Sequence, residues 1–249
     1  MDRVERIGGA TLYLGDCRSV LPKLGEADCA ITDPPYNCGK RYSLHEDSMA
    51  PDAYVGWLIE RFGLLRAPTL IYTPGDRHLW DAPIVTAKSG FPNLQRPLGW
   101  HKKEFAGDKW TSGPAMCWEP IIWAHRHYGM DKTRVYNKIF GSAGRDFLVV
   151  DSTHGDPWAK RHPCPKPLKV AQWLVGLFTP PNGLIVDPFM GTGTIGVAAI
   201  LAGRGFAGIE IDPAYFDAAC ERLTEAVRQR DLFINEPEQL VQSALSWAP

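Results

Sequence analysis

The 249-residue chain lacks most of the features that mark specialised classes of protein. No apolar run approaches the roughly 20 residues that cross a bilayer as a helix. The opening Met1-Asp2-Arg3-Val4-Glu5-Arg6 lacks the basic-then-apolar order of a secretory leader. A cytoplasmic protein without a membrane partner is the expectation. None of the 6 cysteines forms a C-x-x-C pair, and no cluster has zinc-ligand spacing. That predicts reduced thiols and no bound metal. The net charge is only -1, which argues against indiscriminate polyanion binding. Low complexity and internal repeats are absent, and 45% hydrophobic with 22% charged residues excludes a disordered chain.

What is present is unevenly spread. Residues 96–172 hold 13 Lys and Arg against 7 Asp and Glu, with 5 of the 7 histidines. The rest of the chain is acidic. This asymmetry fits either a polyanion-facing side or an ordinary solvated basic face.

Short apolar runs alternate with helical spacing. Residues 11–15, 29–32, 70–73, 98–101, 120–124, 184–186 and 206–211 read as strands. Residues 54–65, 167–178, 194–202 and 213–228 read as helices, and Trp57, Trp80 and Trp173 fall in helical patterns that predict core positions. Alternation of this kind predicts an α/β fold with a largely parallel, doubly wound sheet. One domain over residues 1–249 is expected, with a small inserted region at about residues 125–162 that reads as irregular, basic and aromatic. Residues 231–249 read as a weakly specified tail.

Two of the strands run into acidic turns. One enters Asp33-Pro34-Pro35-Tyr36, and another enters Asp187-Pro188-Phe189-Met190-Gly191-Thr192-Gly193-Thr194. In open parallel sheets, ligands sit beyond the carboxyl ends of strands. Gly191, Gly193 and Gly196 form G-x-G-x-x-G, and Glu210 follows at the end of a strand. Asp187 at that turn would repel a pyrophosphate, whereas Glu210 can accept from ribose hydroxyls. Together they favour a nucleoside-type ligand without phosphates over a nicotinamide dinucleotide. In the first turn, two prolines fix the backbone. The Asp33 carboxylate and the Pro34 carbonyl are acceptors, and Tyr36 offers a flat face. The set suits a planar group with an exocyclic amine.

These residues resemble the S-adenosylmethionine-dependent DNA amino-methyltransferases, in the circularly permuted beta-class where the catalytic motif precedes the cofactor motif. The resemblance runs from about residue 12 to residue 223 and includes Gly15-Asp16, Trp100, Lys102 and the segment from Glu119 to Ala124. It also includes His162-Pro163-Cys164-Pro165-Lys166-Pro167, which departs from the family pattern at Cys164 and Pro165, and the segment from Gly208 to Tyr215. It implies a Rossmann-like methyltransferase fold and methylation of adenine N6 in double-stranded DNA by base flipping, with cytosine N4 as the alternative. A catalytically silent DNA-binding or regulatory protein of the same fold is a further alternative. Asp33, Pro34, Pro35 and Tyr36 would be catalytic. Asp16, Asp33, His162, Lys166, Asp187, Phe189, Gly191, Gly193, Thr194, Glu210 and Asp212 would surround S-adenosylmethionine. Lys40, Arg41, Tyr42, Arg126, Lys132, Arg134 and Lys138 are the candidate DNA contacts. The small insertion implies a short or relaxed recognition site, and relatives of this kind imply a homodimer.

Overall fold

A computed structural model describes residues 3–40, 47–75, 77–102, 117–127, 146–150, 158 and 166–234. The strands are β1 (Arg3–Ile7), β2 (Ala10–Leu14), β3 (Cys29–Thr32), β4 (Thr69–Tyr72), β5 (Asn93–Leu94), β6 (Leu98–Lys102), β7 (Trp118–His125), β8 (Phe147–Val150), β9 (Leu184–Asp187) and β10 (Gly205–Glu210). The α-helices are α1 (Cys17–Val20), α2 (Pro51–Gly63), α3 (Ala82–Lys88), α4 (Leu168–Phe178), α5 (Thr194–Leu201) and α6 (Pro213–Ile234).

The sheet order is β1-β2-β10-β9-β3-β4-β7-β6-β8, with β5 also paired to β7. The five strands β2-β10-β9-β3-β4 are mutually parallel, while β1, β7 and β5 pair antiparallel to their neighbours. The expected doubly wound parallel sheet is present, with antiparallel additions at its sides.

Side-chain alternation in the central strands explains the layering. Successive side chains on a strand point to opposite faces. Cys29, Ile31, Ile71, Ile185 and Phe206 go to one face, against α4, α5 and α6. Ala30, Leu70, Tyr72, Val186 and Ala207 go to the other, against α1, α2 and α3. These strands are buried on both faces, which is why they read as continuous apolar runs.

The winding reverses between β9 and β3. From β3 the chain crosses to β4 on one side, and from β9 it crosses to β10 on the other. The carboxyl ends of β9 and β3 therefore flank the crevice of the sheet.

Several expectations are revised. The stretch expected to be irregular contains β8, which pairs parallel with β6 from Gly99↔Phe147 to Lys102↔Val150. The alternating Arg3–Ile7 strand at the sheet edge went unread, as did α3, whose Ile84, Val85 and Thr86 favour strands. Trp173 is buried, but Trp80 is 86% exposed rather than in the core. Among the described residues no helix is long and apolar enough to cross a membrane, and no group of His, Cys, Asp and Glu could hold a metal.

Candidate active site

At the crevice, the ends of β3 and β9 are tied together. Thr32 Oγ1 donates to Asp187 Oδ1 at 2.6 Å, and the Phe189 N–H donates to the same oxygen at 3.0 Å. Burial pushes the Asp187 carboxyl up to about 7. Asp187 was expected to border the cofactor, but it is 1% exposed and stands outside the cleft wall. Its work here is to join the two strand ends.

A cleft of about 270 Å³ opens beyond them. The segment from Gly15 to Arg18, the Asp33–Tyr36 turn, Phe189, Gly191 and the segment from Ile209 to Asp212 form its walls. Glu210 is aimed by two backbone donors: Gly191 N–H to Oε2 and Asp212 N–H to Oε1, each at 2.8 Å. Burial pushes its carboxyl up to about 7. Asp212 accepts from the N–H groups of Ala214 and Tyr215 at the start of α6. Asp16 accepts from the Arg18 N–H at the start of α1. Hydrogen bonding from the Arg18 guanidinium also holds the Asp16 carboxyl below its usual range.

Gly193 and Thr194 are not in the cleft wall. Gly193 has φ 78°, and a Cβ there would stand 2.7 Å from Leu223 Cδ1. Glycine at this position lets α5 approach α6. Thr194 Oγ1 accepts from Arg222 at 2.7 Å, away from the cleft. Conversely, Trp57 is a cleft residue that sequence reasoning placed in the core. Its ring stacks on Phe189 with centroids 5.1 Å apart, and Arg61 lies over it.

The Asp33–Tyr36 turn is held from several sides. Tyr54 Oη donates to the Pro35 carbonyl at 2.7 Å. The Asp47 carboxylate accepts from the N–H groups of Asn37, Cys38 and Lys40. A Cβ on Gly75 would stand 3.0 Å from the Tyr36 ring, so glycine lets that ring pack close to the turn after β4. The Tyr36 hydroxyl lies 2.7 Å from both Asp33 Oδ1 and Glu119 Oε1, and the Thr73 hydroxyl donates to Asp33 Oδ1. Lys166 Nζ adds a third contact at 3.3 Å. With Oδ1 so occupied, Oδ2 is the oxygen left for a ligand.

Lys166, expected to close over the cofactor, is instead bound in the catalytic turn. It donates to the Tyr36 hydroxyl and to Glu119 Oε1, and it is not in the cleft wall. Burial disfavours its charged form, but the Asp33 and Glu119 carboxylates outweigh this and raise its pKa. Glu119 shows the inverse. Burial pushes its carboxyl up, and the Lys166 and Lys102 ammoniums overcome that and hold it down to about 2. Glu119 was not among the candidate site residues. A single carboxylate in the otherwise apolar run of β7 was the available signal.

Arg126, a candidate DNA contact, is bound by the protein itself. Its guanidinium donates to the carbonyls of Leu65, Ala67 and Gly90 and lies 4.2 Å from the Phe91 ring centre. Those donors are engaged, so the DNA-contact expectation for Arg126 is withdrawn. Lys40 is exposed just beyond the catalytic turn. Arg41, Tyr42, Lys132, Arg134, Lys138 and His162 lie outside the described residues.

The cleft suits S-adenosylmethionine. Its walls carry the carboxylates of Asp16, Asp33, Glu210 and Asp212. Its two arginines already pair with carboxylates, Arg18 with Asp16 and Arg61 with Glu60. The remaining field favours a cation and disfavours phosphate. Glu210 would take the ribose hydroxyls, and the Trp57–Phe189 pair supplies an apolar wall.

A nucleoside cleft at the switch point, beside an acidic proline turn, defines an amino-methyltransferase type of α/β protein. Residues 27–221 match the DNA methylase family, to which this chain belongs. That family draws its methyl group from S-adenosylmethionine. The chain is 26% identical over 248 residues to the DNA adenine methyltransferase YhdJ of Escherichia coli strain K12, covering 87% of this chain and 83% of that one. It superposes on the crystal structure of the M1.HpyAVI-SAM complex with a TM-score of 0.69 at 24% identity, covering 86% of this chain and 98% of that one. The cytosine-N4-specific PvuII DNA methyltransferase gives a TM-score of 0.70 at 18% identity, covering 90% and 93% of the two chains. These two structures share the fold.

Proposed function

We propose that this protein methylates the exocyclic N6 of adenine in double-stranded DNA, acting on a base rotated out of the duplex. The observation that carries this reading is the Asp33 carboxylate, with Oδ1 held by the Thr73 hydroxyl and Oδ2 left for a substrate amine. Asp33 and the Pro34 carbonyl would accept the two amine N–H bonds and direct the nitrogen lone pair across the cleft. Tyr36 would stack on the base. Bound S-adenosylmethionine supplies an electrophilic methyl group on its sulfonium. Asp33 stands ready to take the proton that the amine loses when its new N–C bond forms. The protein's contribution is alignment and exclusion of water. Adenine rather than cytosine is favoured by Asp at the head of the motif and by the similarity to an adenine methyltransferase over 87% of the chain. Lys40, Arg41, Tyr42, Lys132, Arg134 and Lys138 would contact DNA, and His162 would lie over the cofactor. Recognition would be short or relaxed.

The test is nucleoside mass spectrometry of unmethylated genomic DNA after incubation with the protein and S-adenosylmethionine. N6-methyldeoxyadenosine is expected, and an Asp33→Ala variant should form at least 100-fold less, in line with the loss of a positioned proton acceptor. That variant should still bind S-adenosylhomocysteine. N4-methyldeoxycytidine in its place would overturn the adenine reading and keep the mechanism.

A further inference from the structure

The charged side chains around Tyr36 carry a further inference, which rests on the base-methylation reading above. Lys166 touches Glu119 Oε1 and the Tyr36 hydroxyl closely and reaches Asp33 Oδ1 at 3.3 Å. Its ammonium lies 4.8 Å from the Tyr36 ring centre and 5.6 Å from that of Trp100. Lys102 Nζ holds the other Glu119 oxygen at 3.0 Å and lies 4.9 Å from the Trp100 ring centre. The Lys166 and Glu119 side chains are 14% and 11% exposed. Two carboxylates and two ammoniums thus balance around one tyrosine. The Tyr36 hydroxyl lies 2.7 Å from both Asp33 Oδ1 and Glu119 Oε1. It has one proton and can give it to only one of them.

An amine that donates to Asp33 Oδ2, beneath a base stacked on Tyr36, relies on a carboxylate whose charge Lys166 now shares through Oδ1 at 3.3 Å. We propose that Glu119 is a positioning residue that draws Lys166, and the Tyr36 proton, off Asp33 when the target base enters. Lys166 bridges the two carboxylates in the base-free enzyme, and Glu119 is the one that keeps it. The exchange breaks the longer contact to Asp33 and keeps the closer one to Glu119, so no ammonium is stranded in a buried site. Glutamine at position 119 removes the charge that receives Lys166. The ammonium then stays on Asp33 and competes with the amine for that carboxylate's charge.

The test uses the full-length protein with S-adenosylhomocysteine and duplexes built on the methylation site mapped with the wild type. Affinity is measured for a duplex with the target base and for one abasic at that position. Glu119→Gln should lower the target-to-abasic affinity ratio at least tenfold, since a buried charge pair that loses one partner costs more than that factor. Affinity for S-adenosylhomocysteine should stay within about twofold, since Glu119 is outside the cofactor cleft. Adding Lys166→Met to Glu119→Gln removes the competitor and should restore the ratio. A merely structural role predicts a double variant worse than the single. A second readout covers poor folding of the variants: in ¹⁵N-lysine spectra of the wild type, the Lys166 ammonium resonance should shift with the target duplex and not with the abasic one. An unchanged ratio in Glu119→Gln, a lower ratio in the double variant, or a Lys166 resonance indifferent to the target base overturns the proposal. A wild type that methylates no DNA base sinks the function reading and this proposal together, whereas methylation with an unchanged ratio sinks this proposal alone.

Discussion

Glu210 sets the pH range of the cofactor cleft through burial. An ordinary glutamate is ionised above about 4.5, but here the proton stays on up to about 7. Only the ionised form offers full acceptor strength on both oxygens, two of whose lone pairs already take N–H groups of Gly191 and Asp212. Affinity for S-adenosylhomocysteine should therefore rise between pH 6 and pH 8, and titration calorimetry should record proton release on binding below pH 7. Glu210→Gln should bind more weakly and lose most of that slope. Asp187, also pushed up to about 7, titrates in the same window, so the slope that survives in Glu210→Gln measures its share. The sign for stability is opposite to that of a paired carboxylate. A raised carboxyl pKa means that the folded state holds the proton longer than the unfolded chain, so this group costs stability as pH climbs from about 4.5 to about 7.

At the scale of elements, β3 and β9 pair as parallel strands, and their carboxyl ends are joined by a hydroxyl-to-carboxylate bond. Thr32→Val keeps the side-chain shape and removes the donor. Asp187 would keep only the Phe189 N–H on that oxygen, and leaving a buried acceptor short costs about 1–3 kcal/mol. Urea denaturation should show that loss, with turnover falling further than stability alone explains. Gly193→Ala should cost about 1–3 kcal/mol, because a left-handed backbone and contact with Leu223 and Ala219 act together.

Elements of this kind were legible to different degrees. The central strands could be read because burial on both faces writes short apolar runs, helices α2 and α6 because a buried face writes helical spacing, and helices α4 and α5, buried almost all round, because their apolar runs are too long for a strand. Strand β8 could not, because three of its four residues, Phe147, Leu148 and Val149, are only partly covered and basic, polar sequence surrounds them. In the site, Asp33, Tyr36, Gly191 and Glu210 were legible because turns at strand ends carry a strong local signature. The Glu119–Lys166 pair was not, since its partners are 47 residues apart and only the sheet brings β7 to the start of α4. Trp57 reads as core from its helix alone. Its exposure to the cleft depends on Phe189, which arrives from the other half of the chain.

For the whole molecule, charge asymmetry bears on DNA binding. With 13 Lys and Arg against 7 acidic residues in residues 96–172, DNA affinity should fall steeply with salt. Each phosphate neutralised contributes a slope of about -0.9 in log affinity against log salt. Affinity for S-adenosylhomocysteine should change little over the same range. A DNA affinity that ignores salt would contradict a basic DNA-facing side.

Strand order has a consequence for how the chain reaches this state during synthesis. Strand β10 lies between β2 and β9, pairing Phe206 with Ala10 and Gly205 with Leu184. The ribosome therefore releases the catalytic turn long before the two strands that complete the middle of the sheet. Until residues 184–210 emerge, β2 and β3 have open edges where their parallel neighbours belong. Pairings this distant in sequence slow folding, because a long loop must close before any contact rewards it. The nascent amino-terminal half thus carries two strand edges whose partners are supplied only by residues 184–210.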